Sequence, residues 1–355
     1  MYLVKQVTEN EYEDFLSLPS LIHKKDSLMQ KRSEELSLLK GTHILSKYFS
    51  LTAFICYFNG KAVARCAVTI YHSKKEAYLG FFDSENNIEA VKAMYSTAEQ
   101  FAKENEIQRL VGPVDASFWI GYRMKADKFT EPRYFSEPYG KEYYPQLWQE
   151  LGFEISQTYV SNIYKKLSKK EEADKSYTKR YNYFIKKGYK IVSAKKQDWD
   201  IFIGEVYTLL IKLYSDFPVF SHITENEFRE LYKSLKSILD FSMVKLAYKD
   251  NKLVGFFISV PDYRNKLYGN IGPSELLFML KNKKRCDNYI LLYMGVDEKH
   301  LGLGSALSQA IFEELSRKKA SSIGALIKKG KVSEKYIDKK IISQREYLLF
   351  EKIYK

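Results

Sequence analysis

Tyr289-Ile-Leu-Leu-Tyr-Met-Gly-Val296 runs directly into Asp297-Glu-Lys-His-Leu-Gly-Leu-Gly-Ser305 and then into an amphipathic segment from Ala306, and this stretch decides how the chain is read. An apolar run of that length, closed by a turn-rich loop, predicts a buried strand. Two glycines, Gly302 and Gly304, at the start of helical periodicity predict a helix N-terminus whose first N–H groups carry no side-chain cover. The helix dipole adds to the attraction for an anion, so strand, loop and helix together predict a site for a phosphate-bearing ligand. The plainer reading of the same glycines is close helix–strand packing.

Spacing narrows the ligand. A nucleotide P-loop requires Gly-Lys-Ser/Thr after the second glycine, and a dinucleotide fingerprint requires Gly-x-Gly-x-x-Gly with an acidic residue about 20 positions on. Neither pattern is present here. The run Lys299-His-Leu-Gly302-Leu-Gly304 instead resembles the pyrophosphate loop of the GNAT (GCN5-related N-acetyltransferase) superfamily, (Arg/Gln)-x-x-Gly-x-(Gly/Ala), with Lys299 where Arg or Gln is usual. The resemblance implies that Lys299 and the amides of Leu301, Gly302, Leu303, Gly304 and Ser305 hold the pyrophosphate of coenzyme A. It also implies a β-bulge at the end of the strand, with the backbone of Met294, Gly295 and Val296 offered to pantetheine and to the thioester oxygen.

With 355 residues the chain is long enough for two domains with cores of their own, and 45% hydrophobic and 28% charged residues are ordinary for a soluble globular protein. No stretch reaches the 18 or more consecutive apolar residues of a membrane span, and Met1-Tyr-Leu-Val-Lys-Gln-Val7 lacks a signal-peptide layout, so a cytosolic protein with no membrane partner is expected. Cys56, Cys66 and Cys286 have no CxxC spacing and are expected as reduced core residues, and the 5 histidines show no ligand spacing, so no metal is expected. The net charge of +13 is spread along a Lys-rich chain rather than gathered in a tract. It suits a polyanionic co-substrate or an acidic acceptor, and no nucleic-acid partner is expected apart from tRNA under one reading below.

The polar run Ser168-Lys-Lys-Glu-Glu-Ala-Asp-Lys-Ser-Tyr-Thr-Lys-Arg180 is expected as a linker between an N-terminal module, 1–167, and a C-terminal module, 181–355. In the first, Ala53–Phe58, Asn59-Gly60 and Ala62–Tyr71 predict a hairpin with a type I′ turn, followed by a strand at Ala77–Phe82, a helix from Ile88 to Asn105 and a strand at Arg109–Pro113. In the second, helices are predicted at Glu205–Tyr214 and Thr224–Ser237, the latter opened by the capping-box pattern Thr224-Glu-Asn-Glu227. A hairpin follows at Ser242–Tyr248 and Leu253–Pro261, and beyond the phosphate-loop helix a strand at Ser322–Ile327, a helix at Ser333–Lys340 and a strand at Glu346–Phe350. The two halves repeat one order of elements. The first half runs from its strand into Asp83-Ser-Glu-Asn-Asn87 without Gly-x-Gly, so it is expected to bind no pyrophosphate.

Gly112-Pro-Val-Asp-Ala-Ser-Phe-Trp119, Pro138-Tyr-Gly-Lys-Glu-Tyr-Tyr-Pro145, Leu151-Gly-Phe153 and Val260-Pro-Asp-Tyr263, taken with the C-terminal loop, resemble bacterial tandem-GNAT proteins across nearly the whole chain. The resemblance implies an α/β (α+β) fold of two GNAT-like modules, each a mixed, mostly antiparallel twisted sheet flanked by helices. It implies acyl-coenzyme A chemistry in the C-terminal module alone, and leaves the acceptor undefined.

Attack of an amine on an acyl thioester needs positioning, an oxyanion donor, a route for the amine proton and an acid for the departing thiolate. The resemblance points to Tyr336, on the short helix after the fifth strand, as the acid, with Ser333 one turn earlier as its cap or a cofactor contact. Asp262 and Glu205 are the candidate bases; solvated or capping carboxylates are the alternative for both. Asp297 and His300 flank the loop, His300 facing solvent or the adenine ribose. The aromatic group Phe118, Trp119, Tyr122, Tyr139, Tyr143, Tyr144 and Trp148 reads either as a wall of an acceptor groove or as core.

The leading expectation is an acyl-coenzyme A-dependent N-acyltransferase, with acetyl-CoA as the simplest co-substrate and an amine of a small molecule or peptide as acceptor, working as a monomer or homodimer. A Fem-type aminoacyl-tRNA-dependent transferase and a non-catalytic acyl-coenzyme A-binding protein are the alternatives.

Overall fold

The computed structural model describes residues 1–72, 74–168, 174–268, 272–331, 334 and 340–354. In chain order come β1 (Tyr2–Gln6), α1 (Tyr12–Ile22), α2 (Arg32–Leu39), β2 (Phe49–Phe58), β3 (Lys61–Tyr71), β4 (Glu76–Ser84), α3 (Ile88–Glu104), β5 (Arg109–Gly112), β6 (Met124–Lys125), α4 (Tyr144–Glu150) and β7 (Glu154–Tyr164). Then follow α5 (Lys175–Lys186), β8 (Lys190–Ser193), α6 (Trp199–Tyr214), α7 (Glu225–Tyr232), α8 (Leu235–Ile238), β9 (Val244–Lys249), β10 (Lys252–Pro261), α9 (Pro273–Arg285), β11 (Asn288–Val296), α10 (Leu303–Lys318), β12 (Ser321–Lys328) and β13 (Ile341–Ile353).

Local chemistry explains the turns. Asn59 and Gly60 between β2 and β3 have φ of +49° and +79°, and Asp250 and Asn251 between β9 and β10 have +50° and +60°. Both pairs are the left-handed residues that a tight hairpin of the right twist requires. Thr224 accepts from the Glu227 N–H while Glu227 accepts from the Thr224 N–H, so the capping box forms and starts α7. The helix expected at Ser333–Lys340, including Tyr336, falls largely outside the described residues.

The chain folds as two units: Met1–Thr158 with Asn265–Asn270 and Glu346–Lys355, and Tyr159–Arg264 with Ile271–Arg345. In the first, the strand order is β1-β2-β3-β4-β5-β13, with β6 also on β13; in the second it is β7-β12-β11-β10-β9-β8. One pair in each is parallel, β4 with β5 and β11 with β12, and the other pairs are antiparallel. Each unit is completed by a strand from far away in sequence: Arg109–Gly112 pairs with Phe350–Ile353, and Tyr159–Tyr164 pairs with Ser322–Lys328. Alternation in a sequence marks a strand's faces, not its partner, so this pairing has no local signature.

The polar run expected as a linker lies in the second unit, and its Lys175–Arg180 form the first half of α5. Tyr177, Tyr181 and Phe184 recur at helical spacing; Tyr181 and Phe184 pack into the core built by α10 over β9–β11. In the first unit α3 covers β2 and β3, and Tyr144, Leu147 and Trp148 of α4 join the same core. The three cysteines are free and buried, and among the described residues no helix is long and apolar enough to cross a membrane.

Candidate functional site

The site is built on β11. Its register with β10 runs Gly255↔Val296, Phe256↔Gly295, Phe257↔Met294 and Ile258↔Tyr293, then jumps to Ser259↔Leu291, so Leu292 is an extra residue on β11. The bulge re-phases the strand: Tyr289 and Leu291 before it, and Met294 and Val296 after it, all pack into the core under α10. Gly295 therefore faces the other way, where a Cβ would lie 2.7 Å from the Phe256 ring and 2.9 Å from Leu213 of α6.

Past the bulge β11 loses its second neighbour. Parallel pairing with β12 stops at Leu291↔Gly324. β12 is drawn toward β7 through an irregularity between Gly324 and Ile327; there Leu326 has φ +57° and donates its N–H to Ser161 Oγ at 3.0 Å. Among the described residues the edge of Leu292–Val296 away from β10 has no strand partner. Unpaired strand backbone is a ready template for an extended ligand. The Tyr214 hydroxyl, at the end of α6, lies 3.5 Å from the Met294 carbonyl oxygen.

The loop after β11 is braced from within. Asp297 N–H donates to Val254 O (2.9 Å), and its carboxylate accepts from the Lys299 N–H (3.1 Å) and from Lys212 Nζ (2.8 Å). The Lys212 ammonium and the Lys299 N–H hold the Asp297 carboxyl below the usual carboxylate range. His300 Nδ1 meets the Tyr189 hydroxyl at 2.6 Å, so its ring is tethered to the protein. Gly302 has φ +89°, a conformation open to glycine at little cost, and caps α10. Ser305 N–H donates to Gly302 O (3.2 Å), which removes it from the expected anion-binding amides, because the first helical turn already closes there. The N–H groups of Leu301, Gly302, Leu303 and Gly304 have no acceptor among the described residues.

The Lys299 side chain is exposed. A cation that the sequence reading missed lies closer: a Cβ on Gly302 would be 3.5 Å from the Arg180 guanidinium carbon. Arg180 sits on α5, is exposed, and has no ion-pair partner among the described residues. In the sequence its place at the end of the polar run 168–180 hides it.

The candidate bases fare differently. Asp262 leaves the site. Its Oδ1 accepts from the Arg264 N–H (2.9 Å) and its Oδ2 from Asn288 Nδ2 (2.9 Å). It follows Pro261, paired with Tyr289 at the opposite end of β11 from the loop, roughly 20 Å along the strand at ~3.4 Å per residue. It is a turn carboxylate. Glu205 Oε2 accepts from the Tyr248 hydroxyl (2.8 Å), and burial, reinforced by Glu205, pushes that phenol well above its ordinary pKa. Tyr248 is on β9, two strand spacings or about 10 Å from β11, beyond direct reach of an amine on the parted edge. Among the described residues no group of His, Cys, Asp or Glu could hold a metal ion.

The first unit has the same parting of strands, filled by its own chain. β4 and β5 pair as far as Tyr78↔Val111. Then Val114 N–H donates to Leu79 O (2.9 Å) and Asp115 Oδ1 accepts from the Phe81 N–H (2.6 Å). A Cβ on Gly80 would lie 1.9 Å from the Val114 carbonyl oxygen. The N-terminus of α3 is closed as well, with Asn87 Oδ1 accepting from Ala90 N–H at 3.1 Å. Of the aromatic group, Tyr144 and Trp148 are core of this unit, and Phe118 stacks on Tyr122 with ring centroids 5.3 Å apart.

The sequence matches no family model and no curated protein. Solved structures do resemble the chain. A tandem GNAT protein from the clavulanic acid biosynthesis pathway, solved without acetyl-CoA, aligns with a TM-score of 0.55 and 10% identity over 99% of this chain and 98% of its own. A GCN5-related N-acetyltransferase from Sphaerobacter thermophilus gives 0.53 and 11% over 99% and 95%. The GCN5-related glucosamine N-acetyltransferase region of a fungal multi-domain GH3 β-N-acetylglucosaminidase gives 0.56 and 12% over 99% of this chain and 38% of that one. At such identities the likeness is one of fold. This chain has the GNAT fold, in its tandem form.

Proposed function

We propose that the protein is an acyl-coenzyme A-dependent N-acyltransferase, with acetyl as the simplest acyl group and an amine of a small molecule or peptide as acceptor. The observation that carries the reading is a single one: among the described residues, an edge of β11 without a strand partner leads straight into four amides without acceptors at the start of a 16-residue helix. A pantetheine arm offers amide groups for strand-like hydrogen bonds and a pyrophosphate supplies the anion, so one extended ligand satisfies both halves of the site.

In this reading the N–H groups of Leu301–Gly304 hold the pyrophosphate, with Arg180 and Lys299 as counter-charges. The backbone of Met294, Gly295 and Val296 orients the thioester and stabilises its oxygen as charge develops. Protonation of the departing thiolate falls to Tyr336 or, among the described residues, to Tyr214. Glu205 takes the amine proton only through a relay by Tyr248 or water. The second module does the chemistry and the first carries no coenzyme A, a division supported by the filled strand gap of the first unit.

Isothermal titration of acetyl-CoA tests this. Micromolar binding by the wild type, lost in Gly304→Glu, is expected, because the new carboxylate occupies the anion position. Lys299→Glu, at an exposed residue, is the companion variant should Gly304→Glu melt early, and should weaken binding by about tenfold. A folded wild type that binds no acetyl-CoA would sink the proposal.

A further inference from the structure

Helix α9 carries a run of apolar residues, Leu276-Leu-Phe-Met-Leu280, and none of its described residues is buried. In the same unit α10 buries Leu303, Leu307, Ile311 and Phe312 in the core over the sheet. The contrast lies in which side of α9 meets the protein. Asn282 Nδ2 donates to Asp262 O (2.9 Å), Lys283 Nζ donates to Ser237 O (2.7 Å), and the same ammonium lies 5.9 Å from the Phe241 ring centroid. Polar groups therefore tie α9 to its unit. Leu276, Leu277 and Leu280 are 52%, 68% and 57% exposed. They recur at i, i+1 and i+4, so they share one face, and at about 100° per residue Asn282 points about 200° away from Leu280. A helix that had only to fold would turn its leucines inward and its asparagine and lysine to water.

The unpaired charges around this face are of one sign. Lys281, one turn on from Leu277, and Arg285, one turn further, are exposed, as is Arg264; none of the three has an ion-pair partner among the described residues. The nearby carboxylates are engaged. Glu275 accepts from the Gly272 N–H (3.1 Å), Asp262 from the Arg264 N–H and from Asn288, while Asp287 pairs with Lys166 (3.4 Å) and Asp240 with Lys318 (2.8 Å). Three leucines are a small part of the roughly 20–30 residues a side that a stable protein interface takes. A second copy would also bring Lys281 and Arg285 against their own counterparts. A sheet of anionic lipid meets neither objection, because apolar side chains enter it singly and its phosphates attract the cations.

We propose that α9 seats the protein on a membrane surface rich in anionic lipid, with Leu276, Leu277 and Leu280 in the boundary between headgroups and acyl chains and Lys281 and Arg285 on the lipid phosphates. The helix lies on the membrane and does not cross it; no described helix is long and apolar enough for that. The expectation of no membrane partner rested on the lack of a spanning segment, which surface seating does not need. The net charge of +13 draws the chain toward such a surface, and the leucines decide which face arrives.

Co-sedimentation of the full chain with vesicles tests this, with equal parts phosphatidylglycerol and phosphatidylcholine against phosphatidylcholine alone at physiological salt. The wild type should pellet with the anionic vesicles and stay in solution with the neutral ones. Leu276→Ser, Leu277→Ser and Leu280→Ser together leave the charge unchanged and should lower the affinity at least tenfold, and Lys281→Gln with Arg285→Gln should lower it severalfold. A serine variant that binds like the wild type would show adhesion by charge alone and overturns the proposal, as does a wild type that stays off anionic vesicles. Leu277→Trp gives a second reading, because Trp119, Trp148 and Trp199 are buried. Its emission should shift to the blue on anionic vesicles and be quenched by brominated acyl chains; absence of quenching overturns the proposal even where the serine variant fails to melt cooperatively. A lipid-free dimer of the wild type that the serine variant abolishes in sedimentation equilibrium gives the face to a second copy and overturns it too. Acetyl-CoA titration should be the same in every variant, because α9 is tied to Asp262, at the end of β11 away from the loop. Failure here is therefore distinct from failure of the acyltransferase reading.

Discussion

β4 and β11 begin from one arrangement and end in opposite states. Each pairs in parallel with the next strand as far as one residue, Tyr78↔Val111 or Leu291↔Gly324, and then parts from it. Phe81 and Met294 are each the third residue beyond that last pair. Past β11, among the described residues, no strand returns to the free edge. Past β4 the chain itself returns: Val114 bonds Leu79 as a strand would, and the Asp115 carboxylate sits on the Phe81 amide. A carboxyl oxygen already rests, in the first unit, where the proposal for the second puts a thioester oxygen. The two units thus differ in the strand gap as well as in the glycine loop: the first unit's gap is filled by its own chain.

The comparison breaks most visibly at its glycines. Gly80→Ala puts a methyl group 1.9 Å from a backbone oxygen, and backbone cannot rotate away. Gly295→Ala meets side-chain atoms at 2.7–2.9 Å, which can shift. Gly80→Ala should cost more than about 3 kcal/mol and Gly295→Ala about 1–2 kcal/mol, measured by urea unfolding. Similar costs would mean that the first unit's gap is less tightly filled than the distance implies.

The next effect in size belongs to Asp115. Burial first, then Glu35 and Asp83, push its carboxyl up to about 7 against the lowering influence of the Phe81 N–H and Arg65. A folded-state pKa above the unfolded one means that the folded chain holds the proton longer. Stability from this group is full below about pH 4 and is lost as pH rises to about 7. Asp115→Asn has no such loss, so it should be more stable than the wild type at pH 8 by a few kcal/mol. The gap should narrow at pH 4. Urea unfolding at both values checks it, and a gap independent of pH would place the strain elsewhere.

How much of this could be read from the sequence follows the range of the interactions. The hairpins, the capping box at Thr224 and the β11–loop–α10 unit are local, and their residues announce them. The gap-filling role of Val114 and Asp115, although in a stretch that stood out, depends on which strands part, and that is settled by pairings such as β5 with β13 across more than two hundred residues. Asp262 misled because its proximity in the chain to an expected cleft said nothing about which end of β10 it occupies. Likewise, the bare count of charges in 168–180 outweighed the tyrosines and phenylalanine that make α5 amphipathic.

Arg180 is where the helical character of this run has a measurable consequence. The loop resemblance expects Arg or Gln at position 299, and the chain has a lysine there; a guanidinium from α5 reaches Gly302 instead. An arginine delivers planar paired donors to a phosphate, where a lysine is a mobile point charge. Arg180→Ala should therefore weaken acetyl-CoA binding about tenfold, roughly 1.4 kcal/mol, and flatten its salt dependence. Lysine at 180 should recover only part of this. Because Arg180 is exposed and without an ion-pair partner among the described residues, its removal should leave thermal melting unchanged. A loss of affinity for coenzyme A confined to Lys299 variants would return the pyrophosphate to the motif's own basic residue and leave α5 a purely structural helix.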